Sequence, residues 1–385
     1  MKSSPADVAV VGAGLAGSTA AALLARAGFG VHLIEPDLFP REKLCGEFLS
    51  FESVAVLERS GAWPAIRAWN PPPLADATFT TPSGRTTDLR LPEAGWGVGR
   101  RRLDAHLFEH AIACGATPVR GRVEGWKRRP DGGYEIDLRT PRGLHTLSAS
   151  RALGAFGRNA GLRPRKSSSP RGRWVGVKRH HRATGPLPDL DGRVEIHVFD
   201  GGYCGINRVD GDAINVCALI RSEWVKARGV SKERWFEAMA RRNPVLAERM
   251  DRLTADPDAP ISTVSGIDFA RLEPVQDGVP LLGDAAAMIA PLAGDGQGMA
   301  LTAAASFVGS VVESGWDRAV TEWSTDFRRK YRPRLGLGRA LQATLLHPWG
   351  CEALVGVCRT FPSLGDSLAR HTREPTQTWA RPAPR

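Results

Sequence analysis

No two of the six cysteines (Cys45, Cys114, Cys204, Cys217, Cys351 and Cys358) form a CxxC pair or a zinc-ligand spacing. That absence argues against a disulfide-stapled fold and indicates no metal site, so the six read as small buried side chains. Long apolar runs are missing too. Apart from the uncharged stretch Val8–Ala25, nothing reaches the roughly 18 residues that a membrane-crossing helix requires. Internal repeats are absent. With 42% hydrophobic residues in 385, the expectation is a soluble, cored, cytoplasmic protein of two or three substructures and no transmembrane segment.

Charge is abundant and lopsided, at a formal +11, with arginines gathered at Arg100–Arg102, within 163–173 and within 328–334. None of these clusters sits in a nucleic-acid-binding signature. They read as solvated faces, and no nucleic-acid partner is expected.

The uncharged stretch, "VAVVGAGLAGSTAAALLARAG" at 8–28, must be weighed as a signal or membrane segment because Lys2 precedes it. Its glycines and Asp7 argue otherwise. A β-branched run, Val8–Val11, meets Gly12-Ala13-Gly14-Leu15-Ala16-Gly17, and an Ala/Leu-rich helix is expected over Ser18–Ala27. In this G-x-G-x-x-G pattern the first glycine permits the turn, the second lets backbone approach a pyrophosphate, and the third lets helix pack on strand. The helix N-terminus offers N–H groups and a positive dipole end to the phosphates. The next strand, "GVHLIEP", ends at Glu35, 18 residues past Gly17, where a carboxylate can accept from a ribose.

These features indicate an adenine dinucleotide without separating NAD from FAD. The run "PLLGDAAAMIAPLAGDGQGMALTAAASFVGSVV", 280–312, favours the latter. A strand stops at Gly283-Asp284, a Pro/Gly-rich loop follows, and a small-residue helix is expected to start near Gly298. Asp284 can bond a polyol hydroxyl, and the second helix N-terminus can face a pyrophosphate or an anionic ring. Two remote helix ends converging on one elongated ligand suit FAD.

Four blocks, "VVGAGLAGS", "FPREKLCGEFLS", "GVGRRRLDAHLFEHA" and "LLGDAAAMIAPLAGDGQGMAL", occur in this order. In them the chain resembles the FAD-dependent oxidoreductases that include aromatic hydroxylases (class A flavoprotein monooxygenases), geranylgeranyl reductases and flavin-dependent halogenases. The resemblance implies an α/β fold: a Rossmann-like, glutathione-reductase-like FAD-binding domain from 1–75, 95–165 and 270–330. It also implies an interleaved antiparallel substrate domain from 76–94 and 166–269. The stretch 331–372 has apolar residues at helical spacing divided by Pro348 and Pro362, and is expected to form a helical C-terminal cap over the cavity; resting on a membrane surface is the alternative, disfavoured because basic and apolar faces do not separate cleanly. The last residues, 373–385, read as disordered.

Carried over, the resemblance implies that Gly12, Gly14 and Gly17, with Leu15 and Ala16 between them, line the pyrophosphate. Glu35 would meet the ribose, Arg100 would contact the cofactor, and Asp284 would bind the ribityl chain. Pro291, Gly294, Gly296 and Gly298 would shape the loop beside the isoalloxazine. Gly46 lets backbone approach the ring. Cys45 is either a packing residue or a group facing substrate, and Arg41 and Lys43 are either charge partners of the cofactor or exposed loop cations. Phe199, Tyr203 and Cys204, on the strands expected across 172–221, are candidates to face substrate. His180, His181 and His197 titrate in a useful range, although strand histidines are more often packing groups.

The chain departs from the hydroxylase pattern at "LGAFGRNAGLR", 153–163, where Phe156 stands in place of an aspartate linked to nicotinamide handling. That weakens direct reduction by NAD(P)H and raises a separate reductase or ferredoxin-like partner, which a basic surface would attract. A halogenase is disfavoured because the W-x-W-x-I-P pattern and its lysine are missing. A non-enzymatic nucleic-acid-binding flavoprotein is disfavoured by the cofactor blocks. The expectation is monooxygenation of a lipophilic aromatic or polyketide-like small molecule in secondary metabolism; the alternative is reduction of carbon–carbon double bonds, as in geranylgeranyl reductases.

Overall fold

The computed structural model describes residues 6–158, 161–162, 174–229, 231–267, 269 and 272–371. The tail expected at 373–385 and the arginines at 163–173 lie outside the described residues. Ala6–Val11 occupies the middle of a six-stranded sheet. On one side it pairs in parallel with Val31–Glu35 and, beyond that, Thr117–Arg120. On the other it pairs in parallel with Gly143–Gly154, followed by the antiparallel Tyr134–Thr140 and Arg122–Arg128. A parallel strand covered on both faces must be apolar throughout, which is why Val8–Val11 carries no alternation.

The helix after the glycine turn spans Leu15–Arg26, beginning three residues earlier than its composition suggests. Gly14 is already its N-cap, in extended backbone, so the turn consumes only Gly12 to Gly14. Helices Gly296–Ser314 and Trp316–Leu345 complete the cover. Phe307, Trp316, Trp323, Phe327 and Tyr331 interlock edge to face or tilted, and the Trp323 indole N–H donates to the Leu281 carbonyl at 3.1 Å. The 30-residue helix Trp316–Leu345 runs through position 331, where buried Phe327, Tyr331 and Leu335 continue one stripe.

A second sheet of nine strands takes its members from both sides of this body. Its order is Leu253–Ala255, Trp174–Ala183, Ala213–Arg221, Gly202–Val209, Arg193–Phe199, Pro73–Thr80, Thr86–Gly97 and Phe48–Leu49, with Ser262–Ile267 also paired to Trp174–Ala183. Every pairing is antiparallel except Pro73–Thr80 with Arg193–Phe199. Asp200-Gly201 makes a two-residue hairpin, with Gly201 at φ +102° supplying the backbone that Asp-Gly turns need.

After the last long strand the chain forms two short helices, Trp235–Ala240 and Pro244–Asp251. Asn243 divides them: its side chain accepts the N–H groups of Val245 and Leu246, both at 3.0 Å, with Pro244 next as the first helical residue. The chain closes with Pro348–Thr360 and Pro362–His371, each opened by its proline. Both pack against Thr86–Gly97 of the second sheet. Among the described residues no helix is long and apolar enough to cross a membrane.

Candidate active site

Three strand ends meet at one point. The Ala155 N–H donates to the Val11 carbonyl at 2.8 Å, and the Leu282 N–H donates to the Gly154 carbonyl at 2.8 Å, with Leu281 bridged in parallel to Gly154. The glycine turn and Gly283-Asp284 therefore emerge side by side at the carboxyl ends of parallel strands, where open α/β sheets bind ligands. One cavity of about 1320 Å³ opens there. Both helix N-termini, at Gly14-Leu15 and at Gly296-Gln297, lie on its wall. Their first-turn N–H groups have no intrahelical acceptor.

The glycines divide by what surrounds them. Gly12 has φ +102°, and a Cβ there would stand 2.5 Å from the Ala155 carbonyl oxygen. At Gly17 a Cβ would lie 1.8 Å from the Gly12 carbonyl oxygen, so this glycine permits helix to pack on turn and does not line the cavity. Gly298 is likewise off the cavity wall; a Cβ there would meet Asp295 Oδ1 and Ser50 Oγ, both at 2.6 Å. At Gly14, Gly46 and Gly157 a Cβ would meet nothing within 4 Å, and all three line the cavity. Bare backbone facing open volume beside two helix N-termini fits the pyrophosphate of an adenine dinucleotide.

Leu15, Ala16, Glu35, Arg41, Arg100, Asp284, Pro291, Gly294 and Gly296 share that wall. Glu35 Oε2 accepts the Ala13 N–H at 2.8 Å and pairs with Arg41 at 3.1 Å, while Arg41 also holds Asp37 at 2.9 Å. Arg41 thus balances acids of its own loop. Arg100 pairs through two bonds, 2.7 and 3.0 Å, with buried Asp104 one helical turn along. Burial works against the Arg100 charge, but Asp104 and the neighbouring Cys45 hold it firmly protonated. Burial and the cations Arg41 and Arg100 lower the Lys43 ammonium.

Beyond the loop Arg41–Phe48 the wall turns apolar. Ala77, Phe79, Leu89, Leu91, Ile196 and Leu219 come from the second sheet; Leu341, Leu345, Leu354 and Leu368 come from the C-terminal helices. Tyr203 and Cys217 lie on this wall, the phenol raised by burial, the thiol by burial and then by Cys45, to about 12. Phe199 and Cys204 do not line it: they belong to a separate core with Ile206 and Trp224, with the Phe199 and Trp224 rings 5.7 Å apart. Of the three histidines, His197 is buried between Thr80 and Glu195, at 2.9 and 3.1 Å. His181 packs edge-on to Phe236 and is lowered to about 4 by burial.

His180 belongs to a cluster that composition did not reveal. Buried Glu47, at φ +55°, accepts from Lys178 Nζ (2.5 Å) and the Arg100 N–H (2.8 Å) through Oε1, and lies 2.6 Å from His180 Nε2 through Oε2. Burial alone would raise this carboxyl; the His180 hydrogen bond and the Lys178 charge outweigh it and hold Glu47 below its ordinary value. Glu47 ties the loop, the N-terminus of helix Arg100–Ala113 and the second sheet to one another. Cys45 sits two residues earlier, on the cavity wall. Its sulfur accepts the Glu47 N–H at 3.3 Å and Gln297 Nε2 at 3.4 Å, and its carbonyl accepts from Asn215 at 3.2 Å. Glu47 and Gln297 stand inside the quoted blocks, but Glu47 meets Arg100 53, Lys178 131 and His180 133 residues away, and Gln297 meets Cys45 252 residues away.

The family model for an FAD binding domain matches residues 5–177. Digeranylgeranylglycerophospholipid reductase 2 of Methanopyrus kandleri is 28% identical over 352 residues, covering 85% of this chain and 81% of that protein. A menaquinone reductase of Mycolicibacterium smegmatis is 37% identical over 123 residues, 30% of this chain and only 29% of the relative's length. In fold, the chain is similar to the flavin-dependent brominase Bmp2, with TM-score 0.78 at 19% identity over 96% of this chain and 93% of that one.

Proposed function

We propose that the chain is an FAD-dependent oxidoreductase, a monooxygenase hydroxylating a lipophilic aromatic or polyketide-like molecule. The observation that carries this reading is the continuity of one cavity, from a polar cradle at Gly14 and Asp284 to an apolar chamber. Its volume exceeds the roughly 300–1,000 Å³ of common small-molecule pockets, which leaves room for a second molecule beside the cofactor. FAD, when bound, supplies hydride or, with dioxygen, activated oxygen. The chain's own work is positioning and shelter. Phe79, Leu89 and Ile196 of the second sheet and Leu345, Leu354 and Leu368 of the C-terminal helices line the chamber, and such walls exclude water from the reacting centre. Tyr203 and Cys217, raised by burial, remain neutral at the wall and can hydrogen-bond a substrate hydroxyl without adding charge.

Cys45 supports a second reading, reduction of a carbon–carbon double bond. A thiol at the cavity wall, held by Glu47 and Gln297 with Arg100 beside it, could pass its Sγ proton to a carbon acceptor. The near-full-length similarity to a reductase supports it as well. Phe156, on the cavity wall with its ring 5.9 Å from Trp126, offers no carboxylate, which supports a separate reductase or ferredoxin-like protein over NAD(P)H as the electron donor.

Oxygen dependence separates the readings. With a 5-alkylresorcinol as probe and chemically reduced enzyme, hydroxylation consumes dioxygen in step with product and places labelled oxygen in the ring. Anaerobic saturation of a polyprenyl probe, with no oxygenated product from the resorcinol, would overturn the first reading. Anaerobic mixing with NADPH alone should leave the flavin yellow; rapid bleaching would remove the need for a protein donor.

A further inference from the structure

Helices Pro348–Thr360 and Pro362–His371 have two dissimilar faces. Inward, Leu354, Val355 and Leu368 line the chamber. Outward, Trp349 (81% exposed), Val357, Phe361 (61%) and Leu364 stand in water. Trp349, Ala353 and Val357 recur at every fourth position and so share one stripe, which Phe361 and Leu364 extend past Pro362. Seven large apolar side chains are exposed among the described residues, and four of them are on this hairpin, so this is a patch and not ordinary scatter.

The hairpin's own exposed charged side chains are basic. The hairpin's two acids turn toward the sheet: Glu352 accepts the Ser83 N–H at 3.3 Å and lies 3.7 Å from Arg85, and Asp366 accepts the Arg90 N–H at 3.3 Å. Arg359, Arg370 and His371 are exposed, on a chain of net charge +11. At about 20 and about 15 Å the helices are too short to span a bilayer, but they suit lying in its surface, with tryptophan at the headgroup level.

We propose that this hairpin docks on an anionic phospholipid surface, so that the apolar chamber behind it receives its substrate from the lipid phase. Charge complementarity and continuity with the chamber single out lipid as the occupant. The docking itself does not depend on which redox chemistry follows.

The test is co-sedimentation of the full-length, flavin-loaded protein with vesicles of phosphatidylcholine, alone or mixed with phosphatidylglycerol. The protein should pellet with the mixed vesicles and be released as salt rises. Trp349→Glu combined with Phe361→Glu should weaken partitioning at least about tenfold while flavin content and melting temperature hold. Arg359→Glu with Arg370→Glu should weaken it on the anionic vesicles alone. Failure to pellet with the mixed vesicles, or undiminished binding by the Trp349/Phe361 variant, overturns the proposal. So does a dimer that this variant dissociates without any vesicle binding, since a second copy would then cover the face. Binding that appears only after removal of residues 372–385 overturns it as well, because the tail would be the occupant.

Discussion

Replacing Gly14 by valine isolates the cofactor cradle from the fold. Gly14 has extended backbone, φ −79° and ψ −169°, which valine adopts without strain, and its Cβ would meet no protein atom within 4 Å. The helix N-cap preference for glycine over valine costs about 1 kcal/mol. Reduced freedom of the unfolded chain returns roughly 0.4–1 kcal/mol, so the apoprotein should be nearly as stable as the parent. The side chain would instead fill the volume assigned to the pyrophosphate. Losing one hydrogen bond to a charged group costs about 1.5–3 kcal/mol, or roughly a ten- to hundredfold rise in Kd for FAD. Gly17→Val is the contrasting control, since its Cβ would lie 1.8 Å from the Gly12 carbonyl oxygen and must disturb the fold itself. Fluorescence titration of apoprotein with FAD, beside urea melts of the same preparations, measures both quantities. A Gly14→Val protein that binds FAD with the parent's Kd refutes the placement of the pyrophosphate, and so does one whose lost affinity only tracks lost stability.

Other perturbations probe the second sheet and the loop. Glu47→Gln deprives buried Lys178 of its nearest counter-charge, leaving Glu42 at 3.3 Å, and should cost about 3–5 kcal/mol in urea melts. Because the folded Glu47 carboxyl is held below its ordinary value, its stabilisation is present above the unfolded carboxylate range and is lost as pH falls through the folded value; Glu47→Gln should flatten that acid limb. Buried His181, lowered to about 4, favours folding fully above the unfolded value near 6.5 and loses up to about 3 kcal/mol as pH falls toward 4. His181→Leu should remove that part of the slope, and a variant that keeps it would refute the assignment. Under the hydroxylase reading Cys45→Ala retains most oxygen-dependent turnover, whereas loss of product with flavin still bound would favour the proton-donor role.

Legibility followed sequence distance. The glycine turn, Glu35 and the Gly283-Asp284 strand end could be read because each is a local pattern with a local reason, and the structure brings them to one cavity. Helix starts slipped by two or three residues, at Leu15 and Gly296, because glycines that look like turn residues already serve as a cap or a first turn. The Glu47 cluster could not be read. It joins residues 47, 100, 178 and 180 through pairings of the second sheet, and one strand residue more or less would turn Lys178 to the opposite face. Phe199 and Tyr203 look alike as aromatic strand residues; their opposite surroundings are set by a hairpin register that alternation alone does not number.

The cradle has a temporal consequence. Its parts come from the first glycine turn, the loop at Cys45, the helix at Arg100 and the Asp284–Gln297 segment, so a nascent chain that has left the ribosome only as far as the second sheet still lacks the last of the four. Flavin capture is then a closing act of biosynthesis, and a chain stalled before Asp284 should emerge colourless however well its first sheet has formed. Without flavin, a finished molecule would keep an unfilled seam between its first glycine turn and the Asp284–Gln297 segment.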